Sequence, residues 1–430
     1  MSKSRGGASR RAFLKRLAGG AAAIAASSSG WARALEPAAR GVRGANDRIG
    51  IGIIGVGDLG RHHHLSILMG IDEVEVLAVA DVDSRHVDDA IKKAGSRVKG
   101  YKDYRNLLDR SDIDAVLIAT PDHWHALPTI HACQAGKDVY CEKPLTLTIA
   151  EGRAMVNAAR RHGRIVQTGT QQRSDALFRQ AAELIRNGRI GKLASVKIVL
   201  GTAPTTPRRE SRPQPAELDW DFWLGPCPSV PYHDLRCHYN FRWFDDYSGG
   251  KLTDWGAHHL DILQWAMGAE ASGPVSVRGT GVFPADNLYT VPSDFDVHFT
   301  YANGIPVHVT GEGENGLLFT GDKGKVFVCR GEIRADPPEL LDEPSVLHEV
   351  RLEASADHHR NWLECMRTRR RPIADVEHGH RSATVCHLGN IAIKLGRELK
   401  WNPEAERFVD DPEADRLIAR PMREPWSLPQ

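Results

Sequence analysis

Arg48 to Gly60, RIGIGIIGVGDLG, is a short apolar run that ends in Gly55-x-Gly57-x-x-Gly60 and passes straight into a helix-like segment. Such a strand, turn and helix reads as a dinucleotide-binding unit. The three glycines have separate tasks: Gly55 lets the chain turn tightly after the strand, Gly57 lets the backbone approach a pyrophosphate, and Gly60 allows the helix to pack closely on the strand. Asp58, Leu59 and Gly60 then open the helix whose free N–H groups face the phosphates. A second apolar run, Val74 to Ala80, ends in Asp81, at the distance of about twenty residues where an acidic side chain meets the adenine-ribose hydroxyls. That carboxylate favours NAD, because a 2′-phosphate would sit against it; Arg85 nearby leaves NADP open.

Ahead of this fingerprint, Ser9-Arg10-Arg11-Ala12-Phe13-Leu14-Lys15 precedes a weakly apolar segment, Leu17 to Ala26, and then Ala32-Arg33-Ala34. The apolar part is too short to span a bilayer, and paired arginines followed by an A-x-A site predict a twin-arginine export signal, cleaved after Ala34. The expected location is therefore periplasmic or secreted. The 430 residues carry 41% hydrophobic and 26% charged side chains, the composition of an ordered globular chain rather than a disordered one. A formal net charge of +1 gives no electrostatic reason to expect nucleic acid, and no later apolar run is long enough for a membrane span. Seven cysteines form no C-x-x-C pair; Cys227 and Cys237 could be bridged in an oxidising compartment or stay reduced.

After the signal, strand-like runs at 50–55, 74–80, 115–120, 138–141 and 164–169 alternate with helical patterns at 61–69, 84–93, 126–135 and 149–162. This is the order of a parallel, doubly wound sheet, a Rossmann domain over 47–169 in an α/β chain. From Leu193 the texture changes to alternating β runs at 195–200, 293–300, 306–312 and 325–329, predicting an α+β domain over 170–400 with a mostly antiparallel open sheet and a C-terminal extension over 401–430. Ala203 to Pro231 reads as an irregular excursion over the surface or the mouth of a site.

Two further motifs carry chemistry. Glu142-Lys143-Pro144 follows the 138–141 strand at the carboxyl edge of the sheet, where open α/β sheets bind ligands, so Glu142 and Lys143 should lie beside the cofactor. Whether Pro144 is cis is open at this stage. Asp254-Trp255-Gly256-Ala257-His258-His259-Leu260-Asp261 lies in an apolar-periodic run, with Asp254, His258 and Asp261 on one helical face. A carboxylate one turn before a histidine suits an acid–base pair, although a capping aspartate with a structural histidine behind it has the same spacing. No metal is expected, because His258 and His259 are adjacent on the helix and His62-His63-His64 likewise fan out.

Together these motifs resemble the Gfo/Idh/MocA oxidoreductases, named for glucose-fructose oxidoreductase, inositol dehydrogenase and a rhizopine-catabolism protein. The resemblance runs from about Asn46 to the C-terminus and includes Gly55-x-Gly57-x-x-Gly60, Asp81, Ala119-Thr120-Pro121-Asp122-x-x-His125, Glu142-Lys143-Pro144 and Asp254-x-Gly256-x-His258-x-x-Asp261. It implies an NAD or NADP site, an open sheet that also mediates homo-oligomers, and Lys143, Asp254 and His258 as the catalytic set. Thr120, Pro121 and His125 should line the nicotinamide side, with Trp124, Arg242 and Trp243 either as sugar contacts or, equally, as packing residues. The expected reaction is hydride transfer between a secondary alcohol of a sugar or polyol and nicotinamide, with His258 moving the proton, Lys143 stabilising the oxygen and Asp254 orienting His258. Export of a folded protein with its cofactor inside suggests a second class, a redox-neutral glycosidase or epimerase passing through a transient keto-sugar. A third class is a silent sugar-binding protein on the same fold.

Overall fold

Ile49 to Ile54 is apolar on both faces, which only a strand covered from both sides can satisfy, and it forms the centre of a six-stranded sheet. The computed structural model describes residues 48–342 and 350–429. The predicted export signal, 1–34, lies outside the described residues. Strands β1 (Ile49–Ile54), β2 (Val74–Ala80), β3 (Lys99–Tyr101), β4 (Ala115–Ile118), β5 (Asp138–Cys141) and β6 (Val166–Thr168) are all parallel, in the order β3-β2-β1-β4-β5-β6. The order reverses between β1 and β4, which opens a crevice at the carboxyl ends of those two strands. One face of the sheet packs Val116, Ile118 and Val139 against Leu127, Ile130 and Met155 from the helices Ala126–Gln134 and Ile149–Arg161. The other packs Ile51, Ile53 and Leu117 against Leu65 and against Trp362, from the much later helix His358–Thr368.

The second sheet has nine strands: β7 (Leu193–Val199), β8 (Pro274–Val282), β9 (Asp294–Tyr301), β10 (Pro306–Thr310), β11 (Gly316–Gly321), β12 (Lys325–Cys329), β13 (Glu332–Asp336), β14 (Leu399–Asn402) and β15 (Arg407–Phe408). They run β13-β12-β11-β7-β10-β9-β8-β14-β15, antiparallel except for the β7–β10 pair. In β9, Phe295, Val297, Phe299 and Tyr301 point inward and Asp294, Asp296, His298 and Thr300 outward, the alternation of a half-covered sheet. The covered face packs Phe299, Phe319 and Val328 on Phe178, Leu260, Leu263 and Leu388 from the helices Ala176–Arg186, Gly256–Met267 and Val376–Leu395. Each such fully buried side chain contributes about 1.5–3 kcal/mol.

The expected excursion at 203–231 is irregular apart from the short helix Trp220–Leu224. It packs into a cluster with Trp220, Trp223, Phe241, Trp243 and Tyr247, of which Trp223 and Phe241 line the crevice of the first sheet. The C-terminal segment closes over the same place, with Trp426 stacked on Phe222 and edge-on to Trp124. Cys227 and Cys237 are both free and buried, with Cys227 Sγ against the Asp246 carbonyl and Cys237 Sγ against the Asp234 carbonyl, so the bridge considered above is not formed.

Candidate active site

The crevice is a cleft of about 430 Å³ running from Asp81 and His86 past Gly55, Gly57 and Leu59 to Thr120, Pro121, Glu142, Lys143 and Arg242. Its shape follows from the three glycines. Gly55 has φ +84°, and a Cβ there would lie 2.7 Å from the Ala119 backbone, so the turn after β1 fits against the end of β4 only without a side chain. At Gly60 a Cβ would lie 2.0 Å from the Gly55 carbonyl oxygen. A Cβ at Gly57 would meet no protein atom nearer than 3.7 Å, so this side of its backbone is open to the cleft. Asp58 is exposed and makes no side-chain cap on the π-helical turn Leu59–Leu65, and Leu59 lies exposed over the opening.

At the other end of the cleft Asp81 accepts from the Val56 and Asp83 backbone N–H groups, both at 2.9 Å, which fixes its carboxylate at the rim beside His86 (3.3 Å). Arg85 is held by Asp83 through two hydrogen bonds of 2.9 and 2.6 Å. A 2′-phosphate would thus meet the Asp81 carboxylate and an arginine already engaged, which favours NAD. Thr120 Oγ1 is buried in the cleft wall without a partner. An open glycine turn, a rim carboxylate and an orphaned hydroxyl fit a dinucleotide.

Lys143 follows β5, and the Lys143–Pro144 peptide is cis. Its Nζ donates to Asp254 Oδ1 (2.7 Å) and to the Asp254 carbonyl (3.1 Å). Burial alone would raise the Asp254 pKa, but the charges of Lys143 and of Arg242, 3.4 Å away, hold it well below the usual carboxylate range. Glu142 accepts from Gln171 Nε2 (3.1 Å) and the Lys143 N–H (3.2 Å) and pairs with His64 Nε2 (3.1 Å). Against the cost of burial, His64 and Lys143 bring its pKa down to about 2. His258 is buried, and its Nδ1 has no hydrogen-bond partner. Burial, followed by the charges of Lys143 and Arg330, puts its pKa well below the ordinary value, so the ring is neutral and able to accept a proton at neutral pH. The site therefore combines a neutral base, a cation and two carboxylates held ionised.

Several expectations are corrected by this geometry. Asp254 turns its carboxylate to Lys143 and Arg242, and no hydrogen bond joins it to His258, so the orienting role read from the i, i+4 spacing is not the contact made. The helix breaks at Trp255, between Lys251–Asp254 and Gly256–Met267. Asp261, on the same expected face, is instead buried against Arg173 at 2.6 Å. His125 does not face the cleft: its ring nitrogens lie against the Pro144 carbonyl (2.8 Å) and the Thr120 carbonyl (3.0 Å), tying two cleft-lining loops together from behind. Trp243 is buried against Tyr289 away from the opening, whereas Trp124 and Arg242 line it. The sequence reading missed the chain from Glu142 through His64 Nε2 to His359, whose Nε2 is 2.9 Å from His64 Nδ1. Three histidines in a row gave a hint, and His62 and His63 do point outward while His64 turns in. Nothing in the sequence pointed to His359.

Residues 49–170 match the model of an oxidoreductase family described as an NAD-binding Rossmann fold, and residues 205–428 match the model of that family's C-terminal alpha/beta domain. The myo-inositol 2-dehydrogenase of Thermotoga maritima is 27% identical over 369 residues, 84% of this chain and 97% of its own. Inositol 2-dehydrogenase 2 of Saccharopolyspora erythraea is 34% identical over 304 residues, 68% of this chain and 74% of its own. Among solved structures, the aldose-aldose oxidoreductase from Caulobacter crescentus, complexed with glycerol, superposes with a TM-score of 0.63 at 21% identity, over 82% of this chain and 99% of that one.

Proposed function

This chain belongs to the Gfo/Idh/MocA oxidoreductase family, and we propose that it is an NAD-dependent dehydrogenase acting on a secondary alcohol of a sugar or polyol. The observation that carries the reading is the meeting, at one end of a dinucleotide-shaped cleft, of Lys143, Asp254 and a buried, neutral His258. The inositol dehydrogenases among its relatives support the class of substrate.

Gly55, Gly57 and Gly60 would hold the pyrophosphate, Asp81 the adenine ribose, and Thr120, Pro121 and Glu142 the nicotinamide end. Bound there, NAD supplies a two-electron hydride acceptor for the carbinol C–H. His258 takes the hydroxyl proton, and Lys143 Nζ donates to the same oxygen as it gains negative charge. Asp254 holds Lys143 in place and balances its charge, which replaces the orienting role expected from sequence. Arg242 and Trp124 bound the space left for the sugar. Four inward-facing side chains of β9 alternate with a polar outer face, and that open face is where the chain would meet further copies of itself.

Denatured protein purified without added nucleotide should release NAD or NADH, read by mass spectrometry. Only NADP, or no nucleotide together with no binding on titration, contradicts the cofactor assignment. We also infer export through Arg10 and Arg11. Changing both to lysine should leave the precursor mass in the cytoplasm, and a variant still exported and processed would show the signal misread.

A further inference from the structure

Beyond Lys143 and Arg242, which share Asp254, two more cations stand against Trp255, next to the base. Lys251 Nζ lies 5.6 Å from the centre of the Trp255 indole, and the Arg330 guanidinium lies 4.8 Å from the same ring. Trp255 is half-buried and sits at the junction between Asp254 and the helix that carries His258, so the ring and its two cations flank the base. Gln172, in the amide orientation that satisfies both neighbours, donates to the His258 backbone carbonyl (3.1 Å) and accepts from Arg330 Nε (3.2 Å). This ties the arginine, from the turn between β12 and β13, to the helix of the base and leaves its terminal N–H groups free to point elsewhere.

Among the described residues neither Lys251 nor Arg330 makes an ion pair. Partial burial lowers the pKa of both; at Lys251 the charge of Asp254 opposes this and that of Lys143 adds to it, while Asp254, Asp175 and Glu142 do not offset it for Arg330. Two cations on one aromatic ring would be ordinary packing on an open surface. Here the Lys251 side chain is half-buried and the exposed Arg330 lies close enough for its charge to lower the pKa of His258, in a region where every nearby carboxylate already has a partner. Two cations without an ion pair beside the base leave a positive region that an anionic ligand would complete.

We propose that the site takes an anionic sugar or polyol, bearing a carboxylate or a phosphate, and that Lys251 and Arg330 select it by binding that group. The proposal rests on the dehydrogenase reading of the same site. Charge-assisted hydrogen bonds of this kind are about twice as strong as neutral ones, so the anion should decide which sugar binds.

The test is calorimetric titration of the NADH-loaded protein with matched neutral and anionic ligands: glucose against glucuronate and glucose 6-phosphate, galactose against galacturonate, and myo-inositol against its monophosphate. At least one anion should bind roughly tenfold or more tightly than its neutral match, a difference set by one or two charged contacts. Arg330→Gln and Lys251→Gln should each remove most of that preference without weakening the neutral ligand, and Arg330→Lys should restore part of it. Preference for the uronates identifies a carboxylate, and preference for the phosphates a phosphate. If no anion binds more tightly than its neutral match, or if both glutamine variants keep the full preference while melting like the wild type, the proposal is overturned. Turnover of the same ligands by the NAD-loaded protein separates the two readings. Anion preference without turnover of any ligand counts against the dehydrogenase and leaves the anion site standing, whereas turnover without anion preference does the reverse.

Discussion

Lys143→Ala is expected to lower turnover by about 10²–10³-fold, the scale of losing one donor to an oxygen that gains charge in the transition state, with NAD binding nearly unchanged. The reason is positional. Lys143 Nζ reaches from the end of β5 to Asp254 across the substrate end of the cleft, while the glycine turn and Asp81 that would bind the nucleotide lie elsewhere along it. Removing Nζ also leaves the Asp254 carboxylate with Arg242 alone, so Lys143→Met and Asp254→Asn should each lose activity, and the double variant should lose less than the product of the two. His258→Ala should cost a similar factor and flatten the pH dependence of turnover, because the neutral ring is the group that accepts the proton. Steady-state turnover beside nucleotide titration of the same variants checks this. Near wild-type turnover in both Lys143→Ala and His258→Ala would place the chemistry elsewhere.

Arg173→Ala is expected to destabilise the fold by about 3–5 kcal/mol, the usual result of removing one partner from a fully buried ion pair. Arg173 and Asp261 have side chains only 1% exposed and are joined at 2.6 and 2.9 Å. The same guanidinium holds Glu270 (2.7 Å) and the Ile373 carbonyl, and Asp261 accepts from Ser382 Oγ (2.8 Å). The pair thereby fastens the short helix Gln171–Ser174 to the helices Gly256–Met267 and Val376–Leu395. A variant changing Arg173 to Met and Asp261 to Asn together should recover much of the loss, since no unpaired charge then remains buried. Urea denaturation followed by circular dichroism measures both, and a midpoint for Arg173→Ala equal to that of the wild type would show that the pair contributes nothing.

The first sheet could be read because its central strands are buried on both sides and so appear as unbroken apolar runs, and because a phosphate turn needs glycines at fixed spacing. β3, three residues at the sheet edge with an exposed face, carries no such signal. In the second sheet, β8 escaped notice because Arg278, Gly279 and Gly281 interrupt its alternation, and β11 because its Leu317-Leu318-Phe319 run does not alternate at all. At the site, Lys143, Asp254 and His258 could be singled out as types in a motif, but which of them touch could not. That depends on a contact between positions 111 residues apart, and it gave Asp254 to Lys143 rather than to the histidine one turn away. His125 shows the opposite limit: a motif histidine whose ring looks like a ligand contact serves to tie Thr120 to Pro144. Arg330 and Lys251 belong to no motif and become visible only as neighbours of Trp255.

Hydride transfer at this cleft is tested most directly with sugars and polyols carrying deuterium on the carbinol carbon, mixed with the NAD-loaded protein and quenched within a single turnover. Mass spectrometry of the nucleotide should then show one deuterium on the reduced nicotinamide for at least one neutral or anionic ligand, with the matching ketone in the same amount, and Lys143→Ala should abolish both signals. A protein that binds NAD yet leaves the nicotinamide free of deuterium with every ligand contradicts the account.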